Sequence, residues 1–531
     1  MHQEINQPPI AISIIIPNPE DSDTLNGTLQ SILDADCPEG IRYEILVIQA
    51  DKKNVGFIED SRIRYLDGKE ADVSNMRNLG IKEARGDILL FTDGGSIVDK
   101  GWISAYWRLF QNQETQAAQG RVLLRRQSVE IPSWAKKDKL YSLPFFDPEG
   151  EPTHVETLLA RNMAARKKVF ELYGGFCPYL GPGTPAKIGE DAELASRLRA
   201  VGILIFYEPR ALAHSACEED IEAAEYWEKR QHESGYAAAT TSVLVNREKP
   251  RRWRAIMDFL ICRLTSLRAL LMGDESRRLK NKGETAFCRG FIAGTKDAVR
   301  QRRQLSRKKQ VLSVCVITQD SAHCIARTLK SVEPICDEII VVDGGSKDET
   351  ADIVKSFEKV RYYLRPWNGN YIEQKNWAIS KAHGDWVLSI DTDEIVGEHI
   401  KQNISRHMKS NRHNSYIFPR YWLCSESPLL YVDAKNLYPD YQQRLFRNIP
   451  KFRYTKDRTI HHKFPKGLQG RGKKAKDSHL FHFAFLHRDR SKRENIVKTR
   501  KKMEPLTDRI NRSQYLFEDR PHRIRRCKEK L

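Results

Sequence analysis

RNLGIKEARGDILLFTDGGS at residues 77–96 and KNWAISKAHGDWVLSIDTDE at residues 375–394 align over their whole length without a gap. In both stretches a helical pattern ends at a glycine, Gly86 or Gly384, and a short apolar strand then runs into a turn that carries an aspartate. A chain of 531 residues is longer than one hydrophobic core normally serves. The repeat therefore predicts two domains of the same kind.

The strands that precede this stretch recur as well. AISIII at 11–16 and VLSVCVI at 311–317 are apolar, β-branched runs typical of buried strands, and they are followed by YEILVI at 43–48 and EIIVV at 338–342. Alternating strands and helices with buried strands predict parallel α/β units, which bind ligands at the carboxyl ends of their strands. We therefore expect the functional residues in the loops that follow the strands.

The net charge of +19 is concentrated in two segments. Residues 246–310 hold 19 Lys and Arg against 6 Asp and Glu, and residues 487–531 hold 16 against 7. The near-neutral remainder, without an RNA- or DNA-binding motif, argues against a nucleic-acid partner and for contact of the basic segments with an anionic surface. Ten cysteines without metal-like spacing indicate a reducing compartment. Since no apolar run suits a signal or a membrane span, we expect a cytoplasmic protein.

Acidic residues stand where the strands of the second repeat end. Asp343 closes the second strand, and Asp391 and Asp393 form an Asp-x-Asp turn after the third. Carboxylate oxygens suit Mg²⁺ or Mn²⁺, which can grip the diphosphate that leaves during transfer from a nucleotide-sugar. Lys375, on the preceding helix, is placed to face the same phosphates. An isolated Asp-x-Asp is more often a solvated turn, and the strand context is what favours function here.

With these residues assembled, both repeats resemble the inverting family 2 glycosyltransferases of the GT-A fold. The resemblance implies that Asp343 contacts the nucleoside and that Asp391 and Asp393 hold the metal and the donor. The second repeat also looks like the lipopolysaccharide-core β-glucosyltransferase subgroup, through SVCVITQDSAHCIARTLKSV, RPWNGNYIEQKNWAI, DTDE and YQQRLFRN. The partners that this resemblance implies are a UDP-sugar donor and a glycan or glycolipid acceptor.

The first repeat resembles another branch of the family. The matching stretches are LLARNMAARKKVFELYGGF at 158–176, GEDAELASRLRAVG at 189–202 and YEPRALAHSA at 207–216. Gly-Glu-Asp before an amphipathic helix is the family's acceptor-side signature, which implies Asp191 as the general base, with Glu190 orienting the acceptor or the base. The alternative is a pair of acids that caps the start of a helix.

The donor side of the first repeat departs from the family pattern. Asp93 and Arg77 align with the acid and the base of the second repeat, but Gln49 and Gly95 occupy the two other acidic positions. His214 matches a position that often contacts metal or diphosphate in this fold, although a lone histidine is as often structural. With Asp93 and His214 as its candidate ligands, this repeat either binds a metal weakly or serves as a binding module.

The second repeat lacks Gly-Glu-Asp, so its general base stays open between two candidates. Asp440 stands just before YQQRLFR, and His461 has an intrinsic pKa suited to neutral pH. We favour Asp440.

Residues 246–310 predict a basic helical linker with an amphipathic stretch, RRWRAIMDFLICRLTSLRALLMG. Apolar side chains share one of its faces within about 80°, and arginines border that face on both sides. Such a helix lies in a membrane interface or packs on a domain, and the second outcome is the commoner one. The face consists of Ile256, Leu260, Leu264, Leu267 and Leu271, and its borders are Arg252 with Arg263 and Arg254 with Arg268.

Together these features predict two tandem GT-A domains of the α/β class, at residues 8–245 and 311–490. The basic linker 246–310 joins them, and a basic tail follows at 491–531. The expected protein is a bifunctional inverting glycosyltransferase that uses Mg²⁺ or Mn²⁺, builds a lipopolysaccharide- or capsule-type glycan, and is peripheral at the inner face of the plasma membrane. The alternative is that one domain catalyses while the other binds acceptor or nucleotide.

Overall fold

The computed structural model of the chain divides into two compact units, Met1–Arg302 and Arg303–Leu531. The residues that the structure describes are 9–18, 24–50, 58–68, 72–125, 145–148, 152–215, 224–248, 252–410, 412–435, 437–449, 452–455, 472–503, 515–516, 518 and 522–530.

The first unit is built from one mixed sheet and the helices around it. Its strands are β1 (Ile10–Asn18), β2 (Arg42–Gln49), β3 (Ile63–Asp67), β4 (Ile88–Thr92), β5 (Ile97–Val98), β6 (Ala117–Leu124), β7 (His154–Val155), β8 (Asn162–Arg166) and β9 (Ile205–Ser215). Its helices are α1 (Thr24–Leu33), α2 (Val73–Glu83), α3 (Trp102–Phe110), α4 (Lys167–Tyr173), α5 (Glu190–Ala200), α6 (Ala224–Thr240) with a π-helical turn (Thr241–Val245), α7 (Arg252–Leu271) and α8 (Glu275–Arg307).

The strand order of this sheet is β3-β2-β1-β4-β8-β6-β9-β5, with β7 paired to β9. The first four strands are parallel, and β8 is antiparallel to both β4 and β6. Apolar residues alternate between two cores because successive side chains of a strand point to opposite faces. Ile14 of β1 packs in a core with residues of α1 and α3, whereas Ile15 packs in a core with residues of α2, α4 and α5. The carboxyl ends of the parallel strands therefore open at one edge between these two helical layers.

The second unit follows the same plan. Its strands are β10 (Leu312–Thr318), β11 (Glu338–Asp343), β12 (Val360–Leu364), β13 (Trp386–Ser389), β14 (Glu394–Val396), β15 (Ser415–Glu426), β16 (Leu429–Asp433), β17 (Asp440–Arg447), β18 (Lys473–Lys474), β19 (Leu480–His482) and β20 (Arg523–Arg526). Its helices are α9 (Ile325–Val332) with a 3₁₀ turn (Glu333–Ile335), α10 (Thr350–Lys355), α11 (Tyr371–Ser380), α12 (Glu398–Lys409), α13 (Ala484–His487) and α14 (Arg490–Met503).

The order β12-β11-β10-β13-β17-β15-β16-β20 repeats the parallel half of the first sheet and its antiparallel continuation. Strands β10 to β13 are parallel, and β17 is antiparallel to both β13 and β15. Two mixed α/β sheets with the same arrangement of parallel strands confirm the predicted fold class. Beyond residue 490, α14 forms and β20 pairs with β16, so part of the predicted tail joins the second sheet.

Gly86 and Gly384 are required for a reason other than the predicted one. Helices α2 and α11 end before them, at Glu83 and Ser380. A Cβ atom at Gly86 would lie 2.6 Å from the carbonyl carbon of Ile12, and one at Gly384 would lie 2.7 Å from the backbone nitrogen of the serine at 313. Both glycines therefore permit close approach to the first strand of the repeat.

The predicted linker contains two helices, α7 and α8. Among the described residues, no helix combines the length and the apolar character needed to cross a bilayer.

Candidate functional site

The two repeats place an equivalent pair of charges after their fourth strand. An Arg77 nitrogen on α2 lies 2.8 Å from an Asp93 oxygen, and the Lys375 ammonium on α11 lies 3.0 Å from an Asp391 oxygen. In each unit the base stands on the helix before the strand and the acid in the turn after it, as the gap-free alignment predicts. This basic–acidic pair lies at the strand edge where α/β folds bind ligands.

In the first unit, Arg77 bridges two elements of the site. Its guanidinium contacts Asp93 and also a Glu190 oxygen on α5, at 2.8 Å. Gly181 permits the second contact, because a Cβ atom there would lie 2.9 Å from the carboxyl group of Glu190 and the glycine has a φ of +96°. Burial raises the pKa of Glu190 to about 7, the charge of Asp191 adds to this rise, and Arg77 opposes it. Glu190 thus positions Arg77, and its burial makes it take up a proton at a higher pH than an exposed glutamate does.

Asp191 is placed differently from its neighbour. It lies in the first turn of α5, is half-buried, and accepts a hydrogen bond of 2.8 Å from the backbone of Ala192 through one oxygen. Its second oxygen has no partner among the described residues. A partly exposed carboxylate with a free oxygen has the accessibility that a general base needs.

His214 lies on β9, where its backbone pairs with Ile97 of β5, four residues beyond Asp93. Its ring makes no hydrogen bond or ion pair within the part of the chain that the structure describes. The structure therefore brings Arg77, Asp93 and Glu190 into contact but gives no side-chain contact that joins His214 to them.

The second unit holds a larger cluster of buried charges. Arg444 of β17 contacts both Asp391 and Glu394, with a distance of 2.6 Å to Glu394. Arg420 of β15 contacts the same Glu394 oxygen at 2.6 Å and Asp440 at 2.6 Å. With Lys375, three bases and three acids form one connected network.

Neighbouring cations lower the pKa of both acids of the Asp-x-Asp turn. Burial works against the charge of Asp391, but Arg444 and Lys375 hold its pKa well below the ordinary range. Asp393 lies 3.4 Å from a nitrogen of His482 and 3.1 Å from one of Arg488. These neighbours lower the pKa of Asp393 against the effect of its burial.

Both carboxylate oxygens of Asp440 accept hydrogen bonds. Its Oδ2 accepts hydrogen bonds from Arg420, at 2.6 and 2.8 Å, and from the Trp422 indole, at 2.9 Å. Its Oδ1 accepts one from Gln442, at 2.7 Å. Burial alone would raise the pKa of Asp440, but Arg420 and these hydrogen bonds hold it below the ordinary value. A low pKa and the absence of an open oxygen disfavour the predicted role as general base. The rival candidate, His461, lies outside the described residues.

The nucleoside-side residues differ between the units. Asp343 is buried, and its carboxylate accepts hydrogen bonds from the backbone of Gly345 and Ser346, from the Ser346 hydroxyl and from the Tyr362 hydroxyl, at 2.7 to 2.9 Å. It therefore shapes its own loop. At the equivalent end of β2, both side-chain polar atoms of Gln49 are buried without a partner among the described residues.

Several charged residues of these sites were missed by the sequence analysis. Arg420, Arg444 and Glu394 complete the network of the second unit, and Arg488 with His482 neutralises Asp393. Arg444 lies in the YQQRLFRN stretch and Glu394 in DTDE, so both motifs were visible, but nothing in their spacing connects them.

The candidate metal ligands are engaged by cations of the chain itself. Within the described residues, no group of three or more His, Cys, Asp or Glu side chains converges to hold a metal ion. Both predicted ligands of the second unit are already paired with cations, which a dication would have to displace. In the first unit, Asp93 has one oxygen paired with Arg77.

The comparisons with known proteins agree with the repeat. The family model described as "Glycosyl transferase family 2" matches residues 13–174 and 313–470, which together are more than half of the chain. An uncharacterized glycosyltransferase of Rickettsia prowazekii is 37% identical over 106 residues, which are 20% of this chain and 36% of that protein. The lipopolysaccharide core biosynthesis glycosyltransferase LpsC of Rhizobium meliloti is 32% identical over 98 residues, which are 18% of this chain and 36% of that protein. The chain thus spans about a third of the length of these relatives.

Among solved structures, that of GalNAc-T7 with UDP, GalNAc and Mn²⁺ is similar at 14% identity. The likeness covers 44% of this chain and 50% of that one, with a TM-score of 0.31. Similarity at this level supports no argument about this chain.

Proposed function

The chain belongs to glycosyl transferase family 2, and from that premise we propose that it transfers sugars from nucleotide-sugar donors, UDP-sugars first among them, to a glycan or glycolipid acceptor. The observation that carries the proposal is the pair that both units repeat, Arg77 with Asp93 and Lys375 with Asp391. Each pair puts a fixed positive charge at the strand edge where a donor diphosphate would bind. The expected acceptor is a surface glycan of the lipopolysaccharide or capsule type.

In the first unit, the donor-side charge and the general base are assigned to different residues. Arg77 supplies the charge at the donor side, and Glu190 holds its guanidinium in place from α5. Asp191, in the same helical turn as Glu190, has an oxygen that no described residue occupies. It is suited to take the proton of an acceptor hydroxyl as that hydroxyl attacks the anomeric carbon. The base and the donor-side charge therefore belong to one connected arrangement.

In the second unit we assign the donor side to Lys375, Arg444 and Asp391. Two cations close to a partly exposed acid would stabilise negative charge that develops on a leaving diphosphate. We keep the requirement for Mg²⁺ or Mn²⁺ as a prediction for the assay, and no step of the proposed transfer depends on it.

The alternative in which only one unit catalyses, called the narrower function here, is supported by a contrast between the two units. Every candidate acid that the structure describes in the second unit is bound to a cation or fully hydrogen-bonded, whereas the first unit leaves oxygens of Asp93 and Asp191 open. This contrast favours a chain in which the first unit catalyses and the second binds nucleotide or acceptor.

The test is a turnover screen of the full-length protein. Release of UDP, GDP or CMP from the corresponding nucleotide-sugars is measured with and without Mg²⁺ or Mn²⁺, and with candidate acceptors. Asp191→Asn should abolish the transfer that the first unit catalyses and leave donor affinity almost unchanged, because the base acts on the acceptor. Asp87→Asn is the matched control, since Asp87 is exposed at the opposite end of β4.

The second unit is tested in the same way with Asp391→Asn and with Asp385→Asn as its control at the opposite end of β13. A partial loss of turnover with each of Asp191→Asn and Asp391→Asn, and none with the controls, would support two active domains. Unchanged turnover with lost nucleotide binding would support the narrower function. If no nucleotide-sugar is bound or turned over by the full-length protein, the proposed function is wrong.

A further inference from the structure

Helix α7 exposes its largest apolar side chains to solvent. Trp253 and Leu271 are each 80% exposed and Leu264 is 68% exposed, and they lie on the same side of the helix. Soluble proteins rarely leave so continuous an apolar face uncovered unless it contacts a partner or a membrane. The outward face also includes Met257, Leu260, Ile261, Leu267 and Leu270, each about half exposed.

The opposite side of α7 is the packed side, and it carries mainly small residues. Ala255 and Ala269 are buried, and the thiol of Cys262 lies 3.4 Å from a carboxylate oxygen of Glu284 on α8. On a wheel of 100° per residue, this packed side points roughly 160° away from the centre of the outward face. The leucines predicted to form the stripe are therefore not used to hold α7 on its unit.

Helix α8, which contacts α7 through Glu284, is packed closely against α6. A Cβ atom at Gly290 of α8 would lie 1.9 Å from the carbonyl oxygen of His232 on α6, and one at Gly235 of α6 would lie 2.0 Å from that of Phe287. The two backbones thus touch where side chains are absent. An ion pair between Arg289 and Glu228, at 2.5 Å, joins the same helices. The outward face of α7 is consequently displayed by a fixed pair of helices.

Arginines border the outward face on both sides. On the same wheel Arg254 and Arg268 lie along one edge and Arg263 along the other, and all three are exposed. The surrounding residues 246–310 carry 19 basic against 6 acidic side chains. A second copy of this chain docked on the face would bring two such basic borders together, which like-charge repulsion opposes. Anionic lipid head groups would complement them.

We propose that the outward face of α7 docks in the plane of a bilayer that contains anionic lipid, with its leucines and Trp253 in the acyl boundary and its bordering arginines at the head groups. A helix of 20 residues is about 30 Å long, so it lies along the interface and contributes both an apolar and an electrostatic attraction. The docking does not depend on glycosyl transfer, although it would bring the chain to an amphiphilic acceptor.

The test uses full-length protein and vesicles of phosphatidylcholine with or without phosphatidylglycerol. We expect cosedimentation with the anionic vesicles and weaker binding as salt rises, because head-group attraction is screened over about 8 Å at physiological ionic strength. Replacing Arg254, Arg263 and Arg268 with Gln should weaken binding to anionic vesicles about 100-fold. Replacing Leu260, Leu264 and Leu267 with Gln should weaken it by at least about 100-fold, even at low salt.

Two further measurements keep the proposal open to refutation. The Trp fluorescence of the protein should shift to the blue on addition of anionic vesicles, and Trp253→Phe, a mild change at an exposed site, should remove that shift. A variant with Leu204→Gln and Ile524→Gln, which alters exposed apolar residues outside α7, should bind as wild type does. The proposal is overturned if anionic vesicles do not bind the protein, if the leucine variant binds equally well, or if the protein is a dimer that the leucine variant converts to monomers.

Discussion

The buried bridge through Arg77 makes a quantitative prediction about the stability of the first unit. Arg77→Met keeps most of the side-chain volume but removes the charge that pairs with Asp93 and Glu190. Asp93 is a third exposed and remains solvated, whereas Glu190 is 6% exposed and is left without its cation. The variant therefore tests the energetic role of one buried carboxylate.

The expected loss follows from this geometry. Removing one partner of a buried ion pair typically costs about 3–5 kcal/mol. The pKa of Glu190 is already raised to about 7, so the orphaned carboxyl can take up a proton at neutral pH, which limits the loss to about 3 kcal/mol. Adding Glu190→Gln should then restore about 1 kcal/mol or more, because the uncompensated acid is gone.

The assay is urea unfolding followed by hydrogen exchange and mass spectrometry of peptides from β1 to β4, which reports on the first unit separately. Arg85→Met, an exposed arginine that follows the same helix, is the control and should change stability by less than about 0.5 kcal/mol. An equal effect of the two substitutions, or strict additivity of Arg77→Met and Glu190→Gln, would refute the reasoning.

Three other outcomes are expected. Glu394→Gln should destabilise the second unit by about 3–5 kcal/mol, because its two arginine partners lose a fully buried counter-charge. Faster hydrogen exchange of β13 peptides would show this loss of stability, and unchanged exchange would contradict it. Gly290→Ala should destabilise the packing of α8 against α6 by about 1–3 kcal/mol, because its Cβ atom would clash with the His232 carbonyl oxygen. Gly283→Ala, whose Cβ atom would meet only ordinary contacts, should not. Glu190→Gln should flatten the pH dependence of stability between pH 4.5 and about 7. Because the pKa of Glu190 is raised in the folded chain, the folded chain keeps a proton that the unfolded chain has lost, and wild-type stability falls as pH rises through this window. An identical slope in the variant would argue against the raised pKa.

The parallel sheets could be predicted because their strands are continuous apolar runs that recur in the same order in both repeats. The pairs of Arg77 with Asp93 and of Lys375 with Asp391 could be predicted as neighbours, because a helix followed by a parallel strand places both residues at one edge. Local spacing was sufficient in these cases.

The second-unit network could not be predicted, since its members come from distant strands. Asp440 was favoured as a base because it precedes a matching motif, but the register of β15 with β17 sets it opposite Arg420. That register is determined by pairing across the sheet, which the sequence does not state. Such long-range contacts decide whether an acid is free or neutralised.

The amphipathic stretch of α7 illustrates a different limit. Its apolar stripe was visible in the sequence, and packing on a domain was the commoner expectation. The structure instead packs the side with Ala255 and Ala269, because small residues permit close contact between helices, and leaves Leu264 and Leu271 exposed. Periodicity identifies the faces of a helix but does not show which face is covered.

The central claim is that each unit has a donor site built around its own basic–acidic pair. Isothermal titration calorimetry of the full-length protein with the nucleotide-sugar selected by the turnover screen tests this claim most directly. Two binding sites per chain are expected, one lost in Arg77→Met and the other in Lys375→Met, with both retained in Arg85→Met and Asp385→Asn. A protein that binds no nucleotide-sugar, or binds one at a site that neither substitution weakens, would contradict it.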